Sequence, residues 1–265
     1  MEPGSRKHYY VDGFHSRKFL DTYCSSNPEV AFAHEFMRYP MEKFHQAFST
    51  GDIKGGLLLD FSIGPIIHHL YSATKYFTDI ILLKPTDHCI VEVKKWMDSR
   101  TGAFDWSHTS ALATELAGTS DQYEEPEDKD IGLRAAITHV VKFDLSRENL
   151  TDPLVLPQAD CLMINCVVAA ISRDLEDFGR NLGRFLKLVK PGGVLLYYGL
   201  LNGTFYVIGG DKFHGVKYNE NDLKSILSNE GFVIRHIEVS QRKTESDLSD
   251  FDSVVFCTAC KEQKI

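Results

Sequence analysis

Apolar residues along this chain recur in two rhythms that succeed one another. Over the first fifty residues Phe32, Phe36, Met37, Phe44 and Phe48 fall at helical spacings, with Pro28 as a start and Pro40 as a break. Ser49-Thr50-Gly51-Asp52 then signals a turn. Beyond it, short continuous apolar runs alternate with amphipathic stretches. The runs at 57–61 and 79–83 predict strands. Between them Gly64-Pro65 opens a helix running to about Lys75. A helix over 87–99 follows, with Ile90, Val93 and Met97 on one face. Residues 101–130 are polar, and the acidic run 121–130 predicts a solvated surface insertion. A helix over 131–140 leads to a strand at 141–144, and 160–168 predicts a fourth strand. The stretch 174–189 turns Leu175, Phe178, Leu182, Phe185 and Leu186 inward. Lys190-Pro191-Gly192-Gly193 stops it before a fifth strand at 194–198. A helix at 219–229 and strands at 232–239 and 253–260 close the pattern.

Strands alternating with helices predict an α/β fold with a mostly parallel sheet covered on both faces. The last two strands, joined by a loop, predict a terminal antiparallel hairpin, seven strands in all. Such a sheet places its ligand outside the carboxyl ends of its strands, where strand order reverses. The expected crevice therefore collects the residues after Phe61, Leu83, Phe143, Cys166 and Tyr198.

Composition narrows the function classes. The 265 residues are 43% hydrophobic and 25% charged, as expected of one large globular core. No apolar run approaches the ~20 residues that span a bilayer, and the first residues lack the apolar core of a signal peptide, which predicts a cytoplasmic protein and no membrane partner. A net charge of −8 without a basic stripe argues against nucleic acid. Cys257 and Cys260 form a C-x-x-C, but three residues apart on a strand they point to opposite faces, and no second pair stands at zinc-ligand spacing. Buried thiols, and no metal site, are expected.

Several blocks carry a narrower resemblance: Phe14-His15-Ser16-Arg17-Lys18-Phe19-Leu20, Gly102-Ala103-Phe104-Asp105-Trp106, Val141-Lys142-Phe143-Asp144, Leu188-Val189-Lys190-Pro191-Gly192-Gly193, Tyr206-Val207-Ile208-Gly209 and Lys212-Phe213. On these the chain resembles the nicotinamide, phenylethanolamine, indolethylamine and thioether methyltransferases. The resemblance implies a class I, Rossmann-like methyltransferase fold in a single domain, with residues 1–52 as an amino-terminal helical lid and 53–265 as the core. It also implies S-adenosylmethionine as cofactor, a small-molecule acceptor, and a cytosolic monomer.

Carried over position by position, the resemblance assigns cofactor contacts to Tyr10, Phe19, Ser62, Ile63, Gly64, Lys84, Asp144, Leu145 and Asn165. Several depart from the family pattern. Its first loop reads D-I-G-S-G-P-T, where this chain has Asp60-Phe61-Ser62-Ile63-Gly64-Pro65-Ile66. Ser62 replaces a glycine, at a cost on the order of a kcal/mol if that glycine used a positive φ. Ile63 replaces a small hydroxyl residue. Where the family has the acid that accepts both ribose hydroxyls stands Lys84, whose ammonium has donors only; the alternative is an offset alignment that brings in Asp87, three residues on, although Asp87 matches a separate acid of the pattern. Cys89, His68 and Cys24 also replace polar or aromatic residues of the family. Tyr10, Gly64 and the Asp144-Leu145 pair are retained.

On the acceptor side the resemblance points to Tyr206, Asn202 and His214, with no carboxylate after the fifth strand. Asp247, Asp250 and Asp252 are expected to be a solvated loop. Methyl transfer to a neutral nitrogen needs in-line placement rather than acid–base help, so no side chain is singled out as a base. The clustered substitutions predict a divergent member with an eroded cofactor site, non-catalytic or repurposed for another, anionic ligand facing Lys84. The alternative is an active methyltransferase for a small amine, pyridine or thioether.

Overall fold

A computed structural model describes residues 6–9, 13–27, 30–118 and 125–263. Tyr10 and Pro28 lie outside the described residues, as do residues 121–124 of the acidic run. The core is a seven-stranded sheet with the order β3-β2-β1-β4-β5-β9-β8. Its strands are β1 (Leu57–Ser62), β2 (Asp79–Lys84), β3 (Ile137–Lys142), β4 (Ala159–Asn165), β5 (Val189–Leu201), β8 (Phe232–Gln241) and β9 (Ser253–Lys261). The first five are parallel, and β9 runs antiparallel between β5 and β8. All six residues of β1 are buried, as expected of a parallel strand covered on both faces. Strand order reverses between β1 and β4, where Ser62 pairs with Asn165 in register. The predicted seven-stranded sheet and its antiparallel end are therefore present.

Helices α1 (Ser16–Tyr23), α2 (Tyr39–Ser49) and a π-helical turn His34–Arg38 form the amino-terminal layer. Pro40 does not break this layer. It sits in the first turn of α2, where its missing N–H costs no helical hydrogen bond. After β1 the expected helix to Lys75 is only a 3₁₀ segment, His68–Ala73. Ile66, Ile67, His68, His69 and Leu70 are all buried, so this stretch threads the core and has no polar face to present.

Helix α3 (Asp87–Met97) is capped by Thr86, whose hydroxyl accepts from Cys89 N–H at 3.3 Å. The polar segment beyond it contains helix α4 (Ser107–Ala117), whose buried face of Thr109, Ser110 and Ala113 gives little periodic signal. The acidic run is not a simple insertion either: its carboxyl end builds α5 (Pro126–Ala136). Asp128 accepts from Glu125 N–H at 3.0 Å, and acids fill the first turn, where the helix dipole favours them. Residues 137–140 belong to β3 rather than to a helix, following their β-branched content.

The fourth strand ends at Asn165. Cys166 takes a left-handed φ of 55°, and α6 (Val167–Ile171) begins, so one apolar run supplies both a strand and a helix. In α7 (Leu175–Leu186), Leu175 is 41% exposed rather than inward. Lys190-Pro191-Gly192-Gly193 lies within β5, with Gly192 at φ 78°. A further hairpin, β6 (Phe205–Ile208) with β7 (Asp211–His214), turns on Gly209 and Gly210, both at positive φ. Helix α8 (Glu220–Asn229) starts at a capping Asn219 that accepts from Asn221 and Asp222 N–H. No helix is long and apolar enough to cross a membrane among the described residues.

Candidate functional site

The carboxyl ends of β1, β2 and β4 converge on the loop after Ser62. Ile63 N–H donates to Asn165 O at 2.9 Å, tying the loop to β4. Ser62 is the last residue of β1 and is not among the positive-φ residues, so the backbone cost considered for it does not arise. The left-handed position is Gly64, at φ 60°. A Cβ there would lie 2.8 Å from Cδ1 of Phe19, because the phenyl ring of α1 rests on the turn. The Gly64 N–H donates to the hydroxyl of Tyr9 at 2.8 Å.

Beneath the loop lies a buried polar cluster. Lys84 is fully buried, and its ammonium donates to Ser62 Oγ and to Ile66 O at 3.3 Å, 3.7 Å from Asp60 Oδ2. Ser62 in turn donates to Asp60 Oδ2 at 2.7 Å, and His69 Nε2 lies 2.7 Å from Asp60 Oδ1. Burial pushes the Asp60 carboxyl up, but neighbouring His69 and Lys84 and the hydrogen bonds from His69 and Ser62 outweigh it, leaving a net shift downward. Burial pulls the Lys84 ammonium down, and Asp60 only partly offsets this. A buried carboxylate, a buried ammonium and their hydrogen bonds thus compensate one another inside the sheet.

His68, expected at the cofactor, faces the amino-terminal layer. Its Nε2–H donates to Phe36 O at 2.8 Å, and its ring lies against Trp106 at 5.4 Å. Burial, with His69 beside it, holds this imidazole well below its ordinary range, and burial also lowers half-buried His108. A depressed histidine binds its proton more weakly folded than unfolded. Its stability contribution is therefore complete above about pH 6.5 and is lost as pH falls below it. For fully buried His68 the limiting cost is about 1.4 kcal/mol per pH unit on acidification. Urea unfolding at pH 5 and pH 7 checks this. His68→Gln, which keeps a donor for Phe36 O, should flatten the slope by about one proton, and an unchanged slope contradicts the assignment.

Asp144 and Leu145 lie at the rim. The Asp144 carboxylate accepts from Ser146 N–H and Oγ–H in its own turn, and Leu145 O accepts from Arg184 at 2.8 Å. Asn165 is buried with its side-chain Nδ2 without a partner among the described residues. Cys89 lies near three hydroxyls, those of Tyr9, Ser16 and Thr86. All six cysteines are free, and no group of three or more His, Cys, Asp or Glu among the described residues is placed to hold a metal.

On the acceptor side, Phe36, Ile63, Tyr197, Phe205, Tyr206 and Phe251 help to enclose a cavity of only about 50 Å³. Ligand pockets usually offer roughly 300–1,000 Å³. Tyr206 lines it, stacks on Phe213 at 5.5 Å and has a buried hydroxyl without a partner among the described residues. Asn202 and His214 are not among its lining residues. Asn202 donates to the Asp252 carboxylate at 3.0 Å, and His214 Nε2–H donates to Arg173 O at 3.0 Å. Asp247, Asp250 and Asp252 are exposed, as expected of a solvated loop, and Asp250 also accepts from Thr204 and Phe205 N–H, which fixes the loop before β6. Buried Glu35 accepts from Lys243 and Thr244 N–H, latching the β8–β9 loop over this face. A larger hollow of about 530 Å³ lies elsewhere, beside Phe48, Tyr76 and Asp128, and none of the residues above line it.

The structure thus brings Phe19, Ser62, Ile63, Gly64, Lys84 and Asn165 together and leaves Asp144, Leu145, Asn202 and His214 around them. Sequence reasoning missed Tyr9, Asp60, His69 and Glu35. A signal existed for one of these: Asp60 is the one charge in the strand LLLDFS, and Lys84 closes the neighbouring apolar run IILL.

A family model described as NNMT/PNMT/TEMT matches residues 4–262. The chain is 30% identical to nicotinamide N-methyltransferase of Sus scrofa, over 94% of each chain. It is also 30% identical to indolethylamine N-methyltransferase of Mus musculus, over 95% of this chain and 94% of that one. Among solved structures, magnesium protoporphyrin IX methyltransferase of Synechocystis PCC 6803 with bound SAH superposes with a TM-score of 0.53 at 13% identity, over 93% of each chain, a likeness of fold.

Proposed function

The chain belongs to the NNMT/PNMT/TEMT family of small-molecule methyltransferases, and from that premise we propose that it is a non-catalytic member whose cofactor site has been rebuilt as protein core. The observation that carries this reading is Lys84. It stands where the family resemblance puts the ribose-accepting acid, yet its ammonium is fully buried and bound to Asp60, Ser62 and Ile66. It has no acceptor for a ribose diol, and it adds positive charge near a donor whose sulfonium is itself cationic.

Three further features support the reading. The Gly64 N–H is taken by Tyr9, the Phe19 ring lies on the same glycine, and the acceptor cavity is about 50 Å³. S-adenosylmethionine therefore does not fit the residues present. The variant reading, in which Lys84 awaits an anionic ligand, is disfavoured by the same geometry, because its charge is already matched by Asp60. A cytoplasmic location goes with this reading, supported by six cysteines held as free thiols.

Thermal shift tests the proposal. A ligand at a thousand times its Kd stabilises by about 4.1 kcal/mol, which moves the melting temperature of a chain this size by roughly 8–16 °C. With 1 mM S-adenosylhomocysteine the expected shift is nil, and a rise of several degrees overturns the reading.

A further inference from the structure

The amino-terminal segment is held to the β6–β7 hairpin by an isolated parallel bridge at Lys7. Lys7 N–H donates to Lys212 O at 2.9 Å and His214 N–H to Lys7 O at 2.8 Å, while Arg6 donates to Thr204 O at 2.7 Å. Lys7 is in register with Phe213. From this anchor the next described side chain but one, Tyr9, drives inward and is fully buried. Its ring packs on Phe14 with centroids 4.0 Å apart, and Phe14 continues to Phe19 at 5.3 Å. Its hydroxyl accepts from Gly64 N–H at 2.8 Å and lies 3.4 Å from Cys89 Sγ.

We propose that the Gly64 turn of this chain is a binding site for a neutral phenol, and that its resident ligand is the chain's own Tyr9. The chemistry is specific. The turn offers a backbone N–H, so the ligand must supply an acceptor, which an ammonium group lacks. The thiol of Cys89 stands where the hydroxyl proton is directed or from which a weak S–H donates, and a neutral hydroxyl serves either role. The ring of Phe14, itself packed on Phe19 at 5.3 Å, lies 4.0 Å from the Tyr9 ring and suits an aromatic body. The hydroxyl is therefore read by the turn and the ring by the amino-terminal layer. A 4-alkylphenol reproduces both parts. In the intact chain it competes with a tethered tyrosine, so free phenols bind only when Tyr9 is removed.

This inference rests on the reading that the turn no longer serves a cofactor, and the test keeps the two apart. Full-length Tyr9→Gly is titrated with p-cresol and, in parallel, with toluene, by calorimetry and thermal shift. The variant is expected to melt below the intact protein and to regain stability saturably with p-cresol. The loss of one hydrogen bond should make toluene about tenfold weaker. Equal binding of the two compounds, or no binding of p-cresol to a variant with native circular dichroism, overturns the proposal.

Should Tyr9→Gly fail to fold, Tyr9→Phe carries the test. Its Gly64 amide should exchange hydrogen about tenfold faster, with Leu58 and Leu59 unchanged, and unaltered exchange at Gly64 overturns the proposal. Adding S-adenosylhomocysteine separates the two claims. Micromolar binding by Tyr9→Gly alone upholds Tyr9 as occupant while sinking the rebuilt-core reading. Micromolar binding by the intact protein sinks both.

Discussion

Lys84→Met is expected to destabilise the protein by about 3–5 kcal/mol, because it removes one partner of a buried ion pair and keeps the volume. Asp60 would be left in the sheet with Ser62 and His69 only, and its carboxylate would face an uncompensated burial cost. The double variant Asp60→Asn with Lys84→Met removes both charges and should recover much of the loss, so the cycle should show strong positive coupling. Urea unfolding of the four proteins measures it. The size of the effect is diagnostic, since a lysine facing a ligand or solvent would change stability by only about 0.5 kcal/mol when replaced. A loss that small would place Lys84 outside the core and return it to the list of ligand-facing residues.

Gly64→Ala is expected to cost about 2–4 kcal/mol, the sum of a left-handed backbone penalty and of overpacking. The new Cβ would meet the Phe19 ring at 2.8 Å, and that ring is fully buried, so it has little room to withdraw. Gly51 is a fitting control. It has φ 74° but nothing within 4 Å, so Gly51→Ala should cost only about 1 kcal/mol from the backbone. Chemical denaturation of both variants separates the two contributions. Equal costs would mean that Phe19 yields, and that the turn is still open to a ligand.

Much of this fold could be read from the chain because its strongest pattern is also its most buried. β1 and β2 were legible to within a residue, since near-continuous apolar runs between turn residues are what doubly covered parallel strands require. Helix α4 was hidden because its inward face is alanine, threonine and serine, which periodicity does not distinguish from a polar loop. The 3₁₀ segment after Gly64 was read as a helix because a Gly-Pro start says nothing about how many sides will be buried. The β6–β7 hairpin had a Gly-Gly turn in plain view, and only its short four-residue strands concealed it.

The site divides in the same way. Which residues stand at the ends of β1, β2 and β4 follows from strand order, so Ser62, Ile63, Gly64, Lys84 and Asn165 were foreseeable. Which way Lys84 points was not, because that depends on Asp60 lying within reach on the adjacent strand. Tyr9 was less accessible still. Its position depends on Lys7 docking beside Phe213, two hundred residues away, and no local pattern records such a contact.

The central claim, that the cofactor site has become protein core, is tested most directly by calorimetric titration of the intact protein with S-adenosylmethionine and S-adenosylhomocysteine. The account predicts no saturable heat with either compound up to millimolar concentration. A micromolar Kd, corresponding to about −8.2 kcal/mol, would contradict it, because Lys84, Tyr9 and Phe19 would then have to leave the positions they hold here.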